Sequence, residues 1–238
     1  MSNSALQVAR TGLDAQSERM RIIANNLANV NTTGFQRDRA EFATLAYQTV
    51  TAAGARSSGD NQFATGLNLG TGVRMTGTGR ITTQGSLSNT SNPLDLAIEG
   101  QGYFQIQRPD GTIGYSRAGN FHLSAEGKVV TTDGLPVQPE IQIPDGAQSI
   151  SVGTDGTVSV TVAGATAATE VGKIEISRFI NPAGLEGRGS VRQGALEGSN
   201  VNVVEELVDM IETQRAYEVN SKMVQATDEM LRNANQQL

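Results

Sequence analysis

Apolar residues recur near the start of the chain with unusual regularity. Leu6, Ala9, Leu13, Gln16, Met20, Ile23, Leu27 and Val30 follow alternating steps of three and four, and all but Gln16 are apolar. Such a heptad stripe marks an α-helix that buries one narrow seam against another helix. From Ser4, the expected N-cap, to Val30 it would run about 40 Å at 1.5 Å per residue. Asn31-Thr-Thr-Gly34 is the expected stop, with Gly34 able to take a left-handed cap. Gly12 weakens a helix by about 1 kcal/mol relative to alanine and is expected off the seam.

A second ladder sits at the other end, where Val203, Met210, Tyr217, Val224 and Leu231 fall at seven-residue intervals beside Leu207. Its opening turns hold Glu205, Glu206 and Asp209, which suit the positive end of a helix dipole. Two heptad helices at opposite ends of one chain are natural partners, and a coiled-coil pair is expected. The first helix also has an unusual outer face. Between Arg21 and Arg37 no charged residue occurs, and Asn25, Asn26, Asn29 and Asn31 gather there. A solvated helix normally carries Lys and Glu on that side. Two readings stand: a frayed polar last turn, or a face crowded by neighbouring chains, where carboxamides both donate and accept.

Between the helices the pattern changes twice. Helical periodicity persists through Phe42 and Leu45 to Tyr47 and then dissolves. Thr49 to Gly72 is Gly, Ala, Ser, Thr and Asn with Phe63, Leu67 and Leu69 as apolar anchors, the composition of a long linker or extended arm. The Gly70/Gly72 and Gly77/Gly79 pairs read as bends in it. From Val73 to Phe179 short apolar or alternating runs predict strands: Leu94–Ile98, Tyr103–Gln107, Lys128–Thr131, Ser149–Val152, Thr157–Val162 and Lys173–Phe179. Asp110-Gly111, Glu126-Gly127, Asp133-Gly134, Asp145-Gly146 and Asp155-Gly156 punctuate them as turn signals. The expected class is α+β. Residues 1–36 form an N-terminal helix, 37–72 a helix extension and extended arm, 73–199 a mostly antiparallel β domain, and 200–238 a C-terminal helix.

Composition narrows the function. A chain of 238 residues with 37% hydrophobic and 4% aromatic residues, 27 glycines and no tryptophan suits an elongated molecule better than a compact catalytic globule. Net charge −6 and a pI near 4.9 argue against a nucleic-acid footprint, which needs a basic face. Without cysteine there is no disulfide, thiolate zinc site or cysteine nucleophile. The opening MSNSALQVAR carries neither a basic n-region nor an apolar h-region, so no cleaved secretory signal is expected. No run of about 18 apolar residues suggests a membrane-spanning helix.

Candidate chemistry is sparse. His122 is the single histidine and reads as a strand residue, and with no second histidine beside it zinc chemistry is remote. Phosphate-loop and nucleophile-elbow motifs are missing from the sequence, and the glycine pairs lack the third glycine of a dinucleotide fingerprint. Asp95 and Glu99 stand four apart on one face of an expected strand, as a glycosidase pair would require. Nothing sets them apart from the chain's 24 acids. No enzyme, cofactor or metal is expected.

The residues carry a family resemblance. ANNLANVNTTGFQR at Ala24 to Arg37 and EGSNVNVVEELVDMIETQRAYEVNSKMV at Glu197 to Val224 resemble the two end signatures of the bacterial flagellar rod and hook protein family. PLDLAIEGQGYFQI and YSRAGNF resemble its central β domain. Leu45 to Arg74 resembles the extended insertion that sets the distal rod branch apart from the proximal rod subunits. At Asn181–Glu186 the chain departs from the pattern, passing almost at once into GRGSVRQGALEGSN where the family runs on longer. A natural deletion and omitted residues both account for it.

The resemblance implies a structural subunit that polymerises helically into a rigid hollow drive shaft enclosing the export channel. Its partners would be further copies, adjacent proximal rod and hook subunits, the peptidoglycan and outer-membrane ring proteins around it, and the flagellar export apparatus. The place implied is the periplasm-spanning part of the basal body. Assembly contacts would fall on Leu6, Leu13, Met20, Ile23, Asn25, Asn26, Leu27, Asn29, Val30, Val203, Leu207, Met210, Tyr217, Val224 and Leu231. Tyr47, Phe63, Leu67 and Leu69 would anchor the arm. A proximal rod or hook subunit, or a peptidoglycan-active enzyme, is the alternative.

Overall fold

A computed structural model describes residues 2–54, 56–58, 61, 62, 64–163, 167–178 and 189–236. The chain divides into two units. One holds residues 1–28, 38–81 and 202–238, the other residues 29–37 and 82–201. The class is α+β, with a helix near each end and a mostly antiparallel β domain between them.

In the first unit, α1 (Ser2–Ala28) and α2 (Val203–Gln236) lie side by side. Helix α1 starts at Ser2, so Ser4 is inside it rather than its cap, and it ends two residues before Val30. Helix α2 is capped by Asn202, whose Oδ1 accepts from the Val204 N–H at 3.0 Å. The pair runs antiparallel. A Cβ on Gly12 would sit 3.1 Å from Asn220 Nδ2, Arg19 bonds Asp209 at 3.3 Å, and Asn26 bonds Glu206. Gly12 therefore lies in the seam and brings the helices close, contrary to its expected place outside it.

The stretch expected to extend α1 is instead a strand, Asp38–Thr44, paired antiparallel with Val73–Arg80. The reason is a competition of periods. Phe42 and Leu45 give only two points of a helical stripe, whereas Val73–Arg80 alternates half-buried and exposed at every residue and offers a partner ladder. Gly77 and Gly79 thus sit inside a strand, not at bends. The ladder continues through Tyr47–Thr51 with Leu67–Gly70 and Arg56–Ser58 with Asn61–Gln62. The expected extended arm is a two-stranded antiparallel ribbon.

Asn26 holds this unit together. Its Nδ2 donates to the Asp38 carbonyl at 2.9 Å, its Oδ1 accepts from the Asp38 N–H at 3.0 Å, and Nδ2 also reaches Glu206 Oε2 at 3.3 Å. One carboxamide joins α1, α2 and the first residue of the ribbon.

The second unit is a set of small antiparallel sheets around one core. Tyr103–Gln107 is central, paired with Ile113–Ser116, Val137–Gln138 and Ile176–Ser177. Ala147–Val152, Thr157–Val162 and Thr169–Lys173 form a three-stranded sheet. Leu96–Glu99 pairs with Ser190–Gln193, and Leu87–Asn89 with Ala195–Glu197. Core side chains include Leu96, Ile98, Phe104, Phe121, Val137, Ile141 and Val160, with Phe104 and Phe121 edge to face at 5.1 Å. Asp110-Gly111 and Asp155-Gly156 close hairpins as expected, with φ of 80° and 87° at the glycines. In each the aspartate accepts from the backbone and hydroxyl of the following threonine. The Thr157 hydroxyl, then its backbone N–H, hold the Asp155 carboxyl down at about 2 from an ordinary 3.8, with Lys173 assisting.

A buried ion pair fixes the middle of this unit. Arg117 Nε donates to Glu197 Oε2 at 2.6 Å, and its other nitrogens donate to the carbonyls of Gly102 at 2.7 Å, Gly100 at 2.6 Å and Ile98 at 3.2 Å. Glu197 Oε1 accepts from Gly85 N–H, and the Glu197 carbonyl accepts from Gly34 N–H. Gly34 has the expected left-handed φ, 68°, but in the turn after the helix rather than at its cap. A Cβ there would lie 2.4 Å from the Ala118 nitrogen.

These bonds give three expected outcomes. Arg117→Leu or Glu197→Leu alone should each cost about 3–5 kcal/mol, because each strands a buried charge, and the double substitution should cost less than their sum; urea denaturation measures all three. Asn26→Ala should cost about 2 kcal/mol and speed hydrogen exchange at the Asp38 amide. Asp155 should titrate near 2 by NMR, rising toward 3.8 in Thr157→Val. The lowered value means that this turn's contribution is complete above pH 3.8 and fades as pH falls through about 2.

Candidate assembly surface

The helix pair shows where apolar surface goes in the first unit. On α2 the two buried side chains among those described are Glu206 at 0% and Thr213 at 1% exposure, seven residues apart. Asn220, which faces Gly12, continues that column. None of the described apolar side chains of α2 is buried. On α1 the buried positions among the described side chains are Ala9, Ala15, Ile23 and Asn26. The contact line thus runs along 9, 16, 23 and 12, 19, 26. It shares one column with the expected seam and replaces Leu6, Leu13, Met20 and Leu27 by Gly12, Arg19 and Asn26.

The predicted residues separate accordingly. Ile23 is buried in the seam; Leu6, Leu13, Met20, Leu27 and Val30 are half-buried. Asn26 is 1% exposed and bonded inside its own chain, so it is not part of an outer face. Asn25 is exposed, and Asn29 accepts from the Thr32 hydroxyl at 3.1 Å. On α2, Val203, Leu207 and Tyr217 are exposed, and Met210 and Val224 half-buried. On the ribbon, Tyr47 and Leu67 are exposed and Leu69 half-buried. The side chains of Phe63 and Leu231, and residues 181–188 where the chain departs from the family pattern, lie outside the described residues.

Sequence reasoning missed two sets. One is the polar column Glu206, Thr213, Asn220, which has heptad spacing but was masked by the neighbouring apolar ladder. The other is the exposed group Val204, Val208, Ile211 and Val219. Polar chemistry within the seam is incomplete. Gln16 Oε1 is buried with no hydrogen-bond partner among the described residues. The acids considered for catalysis have structural partners: Asn92 donates to Asp95 at 2.9 Å, and Arg192 pairs with Glu99 at 3.5 Å. His122 is an exposed strand residue.

Three family descriptions match the chain: flagella basal body rod protein over residues 6–36, the D1 domain of flagellar hook protein FlgE/F/G over 97–160, and the C-terminal region of flagellar basal body rod FlgEFG proteins over 192–237. Flagellar basal-body rod protein FlgG of Buchnera aphidicola subsp. Schizaphis graminum is 46% identical over 256 positions, covering 98% of each chain. FlgG of Caulobacter vibrioides is 41% identical over 257, again 98% of each. FlgF of the same organism is 34% identical over 236, covering 91% of this chain and 90% of its own. The first of these alignments exceeds the chain's 238 residues, so that relative carries residues absent here. With matches at both ends and the middle and near-complete coverage, the chain belongs to the flagellar basal-body rod protein family, whose members are structural and not enzymatic.

Proposed function

We propose that this chain is a distal rod subunit that polymerises helically into the rigid hollow shaft between motor and hook. The observation that carries the reading is full-length similarity to FlgG, higher than to the FlgF of the same organism. The proximal rod and hook alternative loses ground on that difference. The exposed apolar residues of α2 give the reading a physical basis, since a water-facing helix does not keep such a surface uncovered.

In the polymer the terminal helices form the inner layer around the export channel and the β domain the outer one. The half-buried column Leu6, Leu13, Met20, Leu27 and the ladder Val203, Leu207, Met210, Tyr217, Val224, Leu231 then close as coiled-coil contacts between copies. Asn25, Asn29 and Val30 lie at the end of α1 beside these contacts. The shaft crosses the periplasm, meets proximal rod and hook subunits at its ends and the peptidoglycan and outer-membrane ring proteins around it. Its subunits arrive through the flagellar export apparatus.

The ribbon is the cross-brace of this assembly. Tyr47 and Leu67 are exposed on a ladder only two strands wide, too narrow to be stable alone, so neighbouring copies complete it. Phe63 and Leu69 belong to the same brace. Deleting residues 49–66 should leave export intact and give a softer or curved filament under the electron microscope. A straight filament of unchanged stiffness refutes the brace, and absence of filaments from the unaltered chain refutes the rod reading.

A further inference from the structure

Four Asp-Gly pairs occur in the β unit, at 110, 133, 145 and 155, each in a turn with its glycine at a φ between 79° and 87°. Such a pair is open to rearrangement, because glycine puts no side chain in the way of its own nitrogen. The glycine nitrogen attacks the aspartate Cγ. A Cγ–N bond forms, the carboxyl OH leaves as water with the amide proton, and a five-membered succinimide results. Water then opens the ring. Cleavage between the nitrogen and the main-chain carbonyl carbon leaves the chain joined through Cγ, an isoaspartate, and cleavage of the new bond restores aspartate. One water leaves and one enters, so no oxidant or co-reactant is needed.

The four pairs are unequally protected. Asp110 and Asp155 each have threonine after the glycine. The hydroxyl and N–H of Thr112 donate to Asp110 Oδ1 at 2.6 and 2.9 Å, and those of Thr157 donate to the Asp155 carboxylate at 2.7 and 3.2 Å. These bonds hold both carboxyls below their ordinary 3.8, and an ionised, bonded carboxylate is a poor electrophile. The nitrogens are occupied too, since Gly111 N–H donates to the Arg108 carbonyl at 2.9 Å and Gly156 N–H to the Gly153 carbonyl at 3.0 Å. Asp133-Gly134 is followed by Leu135 and keeps only the second protection, from Gly134 N–H to the Thr131 carbonyl at 2.9 Å. Asp145-Gly146 is followed by Ala147 and has neither. Both of its residues are exposed, and among the described residues no group bonds the Asp145 carboxylate or the Gly146 N–H.

We infer that Asp145-Gly146 is a succinimide and isoaspartate site, the one pair of the four in which carboxyl and nitrogen are both free to react. The site depends on turn chemistry and not on the rod reading. Its product would disturb the sheet beside it. The Gly146 carbonyl accepts from Ala163 N–H at 3.1 Å, and the outer strand Ala147–Val152 starts at the next residue. An isoaspartate adds one main-chain carbon just before that strand, so this bond is the first to go.

The test incubates the full-length chain at neutral pH and physiological temperature and follows each Asp-Gly peptide by electron-transfer mass spectrometry. Methyl transfer from a protein isoaspartate methyltransferase gives a second readout. Isoaspartate should build up at Asp145 at least about tenfold faster than at Asp110 or Asp155, with Asp133 between them. In the urea-unfolded chain the four rates should draw together. Ala147→Thr, which recreates the Asp-Gly-Thr order, should slow Asp145 toward the rate of Asp155, and Thr157→Val should quicken Asp155. A fastest site other than Asp145, equal rates in the folded chain, or no product at Asp145 overturns the assignment. Rates as far apart in urea as in the folded chain overturn it as well, because the difference would then come from local sequence rather than from the turns.

Discussion

One buried carboxamide, Asn26, sets the geometry of the helical unit. It closes a two-bond pair with the backbone of Asp38 and reaches Glu206 on α2, so it fixes where the ribbon leaves α1 and which turn of α2 lies alongside. An apolar side chain there would fill space without choosing a register, because dispersion contacts are non-directional. Polar bonds are directional and costly to leave unmade, so a slip by one residue would strand both an amide and a carboxylate. Gly12 and Asn220 make the same choice nearer the other end of the pair.

The β unit uses the same device. Arg117 and Glu197 come from distant parts of the chain, and between them they satisfy the carbonyls of Ile98, Gly100 and Gly102 and the N–H of Gly85. These backbone groups belong to short strands and bends that cannot satisfy one another in a wide ladder. Asn200 extends the arrangement by accepting from Arg37 N–H at 2.6 Å and donating to Thr83. Small sheets of two to four strands are joined here by side-chain bonds as much as by the apolar core.

What could be read from the sequence divides along the same line. The strands Tyr103–Gln107 and Thr157–Val162 and the hairpins at Asp110-Gly111 and Asp155-Gly156 follow from local alternation and turn chemistry, and they stand where those signals put them. The two long helices were legible from periodicity for the same reason. The face each helix turns inward was not. Heptad reasoning assigns apolar residues to the partner within the chain, and here Glu206, Thr213 and Asn220 occupy that line while Val204, Val208 and Ile211 do not. The strand at Asp38–Thr44 was also hidden, because its partner residues lie 29 to 42 positions away and no local pattern announces it.

This inverted distribution suits a subunit whose stable state is an assembly. Directional polar bonds inside the copy set the register of its helices at little net gain in stability, since burying Glu206 offsets much of what its bonds return. The described apolar side chains of α2 stay outside the seam, and apolar area is what supplies most of the driving force where surfaces associate. A helix pair with its valines inside would be complete as a monomer and would have nothing left to join. With a polar seam and apolar flanks, the pair keeps its exposed apolar side chains off its own contact line.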